Sequence, residues 1–398
     1  MTRVFIVNGK RTPIGSFMGS LSPLSVVELG AHAIKAVMHD SKQCISELSE
    51  VIMGMVFTAG TGQNPVRQMT VKAGLDLRVP SWSVNKVCAS GLKAIALAAS
   101  TIGAGQAEAI IAGGAESMSN APHCARMRGG LRFGDAMLFD CITHDGLTDA
   151  YSKVAMGTCA EKTAAEMQLT REVQDAYCVT SYEKALQAVA AGHFEWEIAP
   201  LEVPRVGQTA LDDEPKRFDR AKIPTLKPAF PPFGQGAQAT ITAANASKLN
   251  DGACALLLLS EQELLKTGVR PWAEVIAYAD AETDSVDFNI CPTLAVQKLL
   301  RKAGLTPEDI DYWEVSEAFA VTGLANIRLL GLDPARVNVF GGAVALGHPI
   351  GMSGARIVLT LMNVMRVKGG KFGVACICNG GGGSSAILLK NCFNDKSG

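Results

Sequence analysis

The chain has 398 residues, 48% of them hydrophobic and 19% charged, which is more than one core usually holds and enough for two or three domain-sized units. A formal net charge of −1 excludes a global electrostatic pull toward nucleic acid or an anionic membrane, so a polyanionic ligand needs a local basic patch. Eleven cysteines at irregular spacing make a poor disulfide framework and point to a reducing compartment, and no stretch reaches the roughly 18 unbroken apolar residues of a membrane span.

Val4-Phe5-Ile6-Val7 reads as a buried strand, with nothing resembling a leader before it. A helical pattern (Leu24, Val27, Ala31, Ile34, Met38) then leads into a strand at Val51-Ile52-Met53. Next comes VNKVCASGLKAI, Val84 to Ile95. A strand ends near Val87, Cys88 sits at the turn, and Ser90-Gly91 open an amphipathic helix. A thiol at a helix N-terminus faces unpaired N–H groups, which lowers its pKa from about 8.5 toward roughly 3.5 to 7.5 and makes it a nucleophile. Any one of eleven cysteines is nevertheless more often a small buried hydrophobe. A strand running into glycines (AIIAGG, Ala109 to Gly114) closes this stretch.

Residues 119 to 250 differ in character, rich in polar residues and prolines, with a helix over Arg171 to Ala191. Long insertions of this kind in compact folds are functional lids, binding surfaces or linkers, and the apolar residues scattered here favour a binding surface.

Beyond the insertion the opening order returns. Leu294 to Ala303 is helical in pattern, with Gly304 as its stop, and leads to the strand Tyr312-Trp313-Glu314-Val315. The two strands are offset by 264 residues (315 − 51), and SGARIV at Ser353 echoes SGLKAI at Ser90 with an offset of 263 (353 − 90). So constant an offset predicts two similar α/β halves, each a mixed sheet with helices on its faces. In the second copy His348 lies in the glycine-rich GGAVALGHPIGMSGARIV, near the point equivalent to Cys88, where it can take the thiol's proton. A lone loop histidine is more often structural; pseudo-twofold packing of the two turns is what raises it. The third cluster, CICNGGGG from Cys376 to Gly383, ends a strand at Cys378 and frees backbone N–H groups for an oxyanion. Two thiols without a second Cys/His pair make a poor metal site, and these glycines open no helix, so neither a metal nor a dinucleotide is expected.

These clusters, with NGKRTPIGSF (Asn8 to Phe17), GQNPVRQ (Gly62 to Gln68), AGGAESMS (Ala112 to Ser119) and TAANASKLNDGA (Thr242 to Ala253), resemble the thiolase family over nearly the whole chain. APHCARMRGG, DGLTDA and MGTCAE resemble the loop domain of its acetyl-CoA acetyltransferase branch. The resemblance implies a five-layer αβαβα sandwich of duplicated halves, 1–118 and 251–398, around a loop domain at 119–250. It implies an acetyl-Cys88 intermediate formed from acetyl-CoA, His348 as base, and Cys378 as acid/base toward the second acetyl-CoA, giving acetoacetyl-CoA and CoA. One oxyanion site would be the N–H groups of Cys88 and Gly380, the other His348 Nε2 with a held water. The family usually has Asn before Glu-Ala-Phe where this chain has Ser316, which predicts weakened catalysis; Ala155 stands where related enzymes commonly carry a histidine and predicts a wider or less polar pantetheine end of the pocket.

By resemblance Ser247 bonds the pantetheine, and Met156, Phe230, Ala243, Phe319 and Leu147 line its tunnel. Arg217 and Arg220, in the basic stretch from Lys216, are candidates for the phosphates, against the bland reading of a solvated charge run. No cofactor is implied beyond the CoA thioester substrates; some relatives bind potassium near this loop through a tyrosine where this chain has Pro215, so the ion is not carried over. The loop from Met127 to Met137 resembles a tetramerisation element, implying a homotetramer. The expected compartment is cytoplasmic, or the mitochondrial matrix had a transit peptide been removed. A degradative 3-ketoacyl-CoA thiolase and a catalytically weakened CoA-binding protein are the alternative functions.

Overall fold

The computed structural model describes residues 2–41, 47–234 and 238–393. Among these residues nine strands form a continuous path. In the first half they are β1 (Val4–Arg11), β2 (Glu50–Gly54), β3 (Ser81–Val84), β4 (Ala109–Ser117) and β5 (Asn250–Ser260). In the second they are β6 (Ala273–Glu282), β7 (Tyr312–Val315), β8 (Phe372–Asn379) and β9 (Gly383–Asn391). Their order is β7-β8-β9-β6-β1-β5-β4-β2-β3, with the short strand Gly15–Ser16 paired to β5. The order is nearly palindromic about the β1–β6 junction. Each half has antiparallel strands at the centre and parallel pairing outside, β4–β2 and β2–β3 in one, β8–β7 in the other.

Residues of β5 show why both faces are covered. Leu256 and Leu258 enter a core shared with helices α3 (Ser90–Gly103) and α8 (Ser353–Lys368), which lie between the two half-sheets. Leu257 and Leu259, on the opposite face, pack with α1 (Val26–Ser41). A third core places α6 (Cys291–Ala303) outside the second half-sheet. These layers are helix, sheet, helix, sheet, helix, as expected. The predicted stop Gly304 is a left-handed C-cap with φ 68°.

The boundary expected at 250/251 does not follow the sheet. β5 follows the insertion in sequence but pairs with β1 and β4 along its length, so it completes the first half. The insertion is therefore an excursion between two neighbouring strands. It carries α4 (Met156–Glu166) and α5 (Arg171–Ala190) and is anchored by Arg11, whose fully buried guanidinium meets Glu197 and Asp212, each at 2.8 Å. Removing one partner of such a buried cluster costs about 3–5 kcal/mol. Between β7 and α8, α7 (Ala320–Leu330) follows the Ser-Glu-Ala-Phe segment; α2 (Pro65–Lys72) covers the edge near β3.

Candidate active site

The Cys88 turn is built from a residue under strain. Val87 has φ 49°, a left-handed conformation that costs a β-branched residue about 1–3 kcal/mol. Ser90 holds it there: its Oγ donates to the Val87 carbonyl at 2.6 Å and accepts from the Lys86 N–H at 2.8 Å. Cys88, half-buried, is thereby presented at the head of α3. The Lys86 ammonium reaches across to Asn379 Oδ1 at 3.0 Å and ties this turn to the glycine turn between β8 and β9.

The thiol is not activated at rest as the sequence predicted. Burial pushes Cys88 up to about 11, against the opposing pull of the Gly380 and Cys88 N–H groups at its sulfur. Desolvation of the thiolate outweighs a helix end that begins two residues later. The two N–H groups at the sulfur are those expected from the sequence to make the first oxyanion site, and donors that favour a thiolate are of the kind that favour a developing alkoxide.

His348 has the complementary state. Burial lowers its pKa to about 4, so the imidazole is neutral. Its Nδ1 lies 2.6 Å from Ser353 Oγ, and that hydroxyl donates to the Pro349 carbonyl at 2.9 Å. With the hydroxyl proton committed, Nδ1 is the ring donor and Nε2 carries the lone pair. Among the described residues Nε2 has no hydrogen-bond partner. The loop around it is fixed by Asn250, whose Oδ1 accepts the His348 N–H at 2.8 Å, and by Glu116, which accepts the Gly351 N–H at 3.1 Å. Gly347, at φ 102°, passes so close that a Cβ would lie 2.6 Å from the Asn250 side chain.

Cys378 ends β8, fully buried beside Met156 and Phe319, and its thiol is pushed well above its ordinary range by burial first and by the Cys88 charge next. Ser316 follows β7; its N–H donates to the Cys376 carbonyl at 3.0 Å, and its buried hydroxyl, like His348 Nε2, has no partner among the described residues. A buried polar group left without a partner is what a bound water would satisfy.

Cys88, His348 and Gly380 open onto one cavity of about 710 Å³. All six residues expected to receive pantetheine, Ser247, Met156, Phe230, Ala243, Phe319 and Leu147, line it. The largely apolar wall and few convergent polar groups are the usual character of a ligand site. Arg217 and Lys222 are in the lining, whereas Arg220 is largely exposed, pairs with Glu183 at 2.8 Å and does not line the cavity. Ala155 caps α4 just before Met156, which lines the cavity, and is not itself in the wall. Sequence reasoning missed Ser353, Asn250, Glu116 and Lys248. Ser353 carried a signal, being the counterpart of Ser90 at the repeat offset; Asn250 and Glu116 are polar residues whose partners lie far away in sequence, and Lys248 joins its near neighbours Ala244 and Ala246 to the distant Val344.

Comparison with known proteins agrees with this geometry. Residues 4–262 match the family model "Thiolase, N-terminal domain" and residues 269–391 "Thiolase, C-terminal domain". The first span includes β5, in agreement with its pairing. A mitochondrial acetyl-CoA acetyltransferase of Xenopus laevis is 48% identical, the alignment covering 98% of this chain and 92% of that protein. A cytosolic acetyl-CoA acetyltransferase of Gibberella zeae is 46% identical over 98% of each chain. The crystal structure of an Ascaris suum thiolase in complex with coenzyme A superposes with a TM-score of 0.92 at 45% identity, covering 98% of this chain and 100% of that one. With both family models matched end to end, and a cysteine and a histidine from opposite halves facing one cavity, the chain belongs to the thiolase family.

Proposed function

We propose that this chain transfers acetyl groups between two molecules of acetyl-CoA, forming acetoacetyl-CoA and CoA, and catalyses the reverse thiolysis. The observation that carries the reading is the pairing of a neutral imidazole, its Nε2 free, with a protonated thiol flanked by N–H groups in the same cavity. The activity named for the full-length relatives supports it.

Each step balances with the residues present. His348 Nε2 takes the Cys88 proton as the sulfur attacks the acetyl carbonyl, whose oxygen is received by the Cys88 and Gly380 N–H groups. CoA leaves as a thiolate and takes the Cys378 proton. The resulting Cys378 thiolate removes a methyl proton from a second acetyl-CoA. The carbanion attacks acetyl-Cys88, acetoacetyl-CoA departs, and imidazolium returns its proton to Cys88. His348 Nε2 and a water held beside Ser316 would receive the enolate oxygen of the second acetyl-CoA. Burial suits this cycle, because two thiols that are protonated at rest do not oxidise or alkylate readily, and each ionises only as its partner step requires.

The pantetheine arm would run past Ser247 between Phe230 and Phe319, whose rings meet edge-on at 6.3 Å, with phosphates near Arg217 and Lys222 at the cavity. A homotetramer is supported by the exposed apolar loop of the insertion, where Phe133 is 100% and Met137 85% exposed; sedimentation velocity measures it. The eleven irregularly spaced cysteines support a reducing compartment, the cytoplasm or, as the alternative, the mitochondrial matrix, and the relatives include both cytosolic and mitochondrial forms. The test of the activity is mass spectrometry after exposure to acetyl-CoA. An adduct of about +42 Da, acetyl in place of hydrogen, belongs on the peptide containing Cys88 and is absent from Cys88→Ser. An adduct elsewhere, or none under turnover, refutes the scheme.

A further inference from the structure

The cavity wall contains one cradle of the kind an alkali cation occupies. The main-chain carbonyls of Ala244, Ala246 and Val344 converge on a single point, and the Nζ of Lys248 sits there at 3.0, 2.9 and 2.9 Å. Clusters of main-chain carbonyls are what replace the water shell of potassium where proteins hold it. Here the three N–H donors of one ammonium group meet three carbonyls, so its donors are used up. The Tyr182 ring lies 5.3 Å away on another side. Among the described residues Lys248 forms no ion pair; Cys178, Glu214 and Glu317 act on it only through space, and burial lowers its pKa. A free potassium ion does not fit this cradle, because a positive charge of similar size already fills it.

We propose that Lys248 is a tethered monovalent cation that positions the two loops of the CoA site against each other and makes the protein indifferent to potassium. The carbonyls it joins come from the two sides of the chemistry. Ala244 and Ala246 flank the loop that carries Ser247, and Val344 lies in the short helix Ala343–Leu346, which ends at Gly347 just before His348. Without the charge, the Ala246 and Val344 carbonyls lose their donor, the Ala244 carbonyl keeps only the weak Cys178 S–H donor at 3.2 Å, and the loops spread. A lysine that merely filled the gap with its methylene stem would make no distinction between cations.

The proposal rests on CoA as the ligand of this cavity, and the experiment separates the two. CoA affinity is measured by calorimetry on the full chain in potassium, sodium or tetramethylammonium chloride at equal ionic strength. The native protein should bind equally in all three. Lys248→Ala opens the cradle; it should bind about tenfold more weakly in sodium or tetramethylammonium, the cost of lost charged hydrogen bonds, and recover in potassium. Lys248→Met, whose apolar chain fills the same space, should be weak in every salt. In turnover the loss at Lys248→Ala appears in KM in sodium or tetramethylammonium and is restored by potassium. Native binding that depends on potassium, an alanine variant indistinguishable from native, or one weakened alike in all salts overturns the proposal. Melting temperatures of the three proteins in the same salts ask the question without CoA: native flat, alanine variant raised by potassium alone. If the native protein binds no CoA, the functional reading falls while the melting series still decides the role of Lys248.

Discussion

The two turns that meet in the cavity follow one pattern and do opposite work. In each half a serine opens the central helix and donates to a carbonyl of the preceding turn, Ser90 to Val87 and Ser353 to Pro349. The first serine's remaining acceptor goes to the Lys86 main chain, bracing the strained turn under Cys88. The second goes to the His348 ring. The helices cross through equivalent glycines: a Cβ on Gly354 would lie 2.4 Å from the Leu92 nitrogen, and one on Gly91 2.7 Å from the Ala355 nitrogen. Main chain on both sides leaves no room for a side chain, and this close crossing brings a thiol and an imidazole together. Duplication thus supplies the meeting point, and burial then assigns the roles, raising the acid in one turn and lowering the base in the other.

Removing the base breaks the comparison most severely. His348→Asn should lower kcat by about 10²- to 10⁴-fold, the usual contribution of a positioned proton acceptor, and slow formation of the Cys88 adduct as much as steady-state turnover. A variant whose adduct forms at the native rate would show that His348 is not the base. In the native protein the imidazole stays neutral down to about pH 4, so the rate should not fall between pH 7 and 5 through its protonation. The unfolded imidazole titrates near 6.5, so between about 6.5 and 4 the unfolded chain binds more protons than the folded one. The contribution of His348 to stability therefore falls as pH drops through that window. A pH–rate profile and melting curves of native and variant separate the two effects.

The serines sharpen the comparison with a smaller effect. Ser353→Ala releases the ring to its other tautomer and should cost about 10- to 100-fold in kcat, with little change in melting, the range for losing one buried hydrogen bond at a reacting group. Ser90→Ala should do the reverse, lowering the melting temperature as the Val87 turn loses its brace and changing kcat less. Equal losses of kcat in both variants would mean that the two turns are not functionally distinct.

Much of this was legible in the sequence, and what was hidden has a common cause. The constant offset from Val51 to Val315 and from Ser90 to Ser353 encodes local patterns that fold the same way twice, so the two halves and the approach of the Cys88 and His348 turns could be read from it, whereas the five layers were implied only by the resemblance to the thiolase family. The placement of β5 could not. Asn250–Ser260 is a run of eleven buried residues, and an apolar run does not say which neighbours it will pair with. Nor could the protonation of Cys88, because the helix end that would lower it is local while the burial that raises it is assembled from both halves and the insertion. Lys248 reads as one charge in a polar segment; only the approach of Val344, 96 residues on, makes its surroundings a cradle. Arg220 fails in the opposite way, a charge that looked poised for phosphate and instead pairs with Glu183 at 2.8 Å.

The smallest expected effect concerns the place where this chain departs from its family. Ser316 Oγ is buried and unpartnered among the described residues, as is His348 Nε2, and each would be served by a bound water. A hydroxyl has a single proton and a short reach, so it holds such a water less firmly than an amide would. Ser316→Asn should therefore raise kcat for condensation by up to about tenfold, a fraction of the 10²- to 10³-fold that a direct oxyanion donor supplies. Adduct formation at Cys88 should be unchanged, because that half-reaction uses the Cys88 and Gly380 N–H groups. Ser316→Ala, which cannot hold the water at all, should move kcat the other way by a similar factor, and it guards against an asparagine too large for the site. If both variants condense acetyl-CoA at the native rate, the hydroxyl has no part in the second oxyanion site, and the buried orphan at Ser316 is a packing compromise rather than a weakened catalytic group.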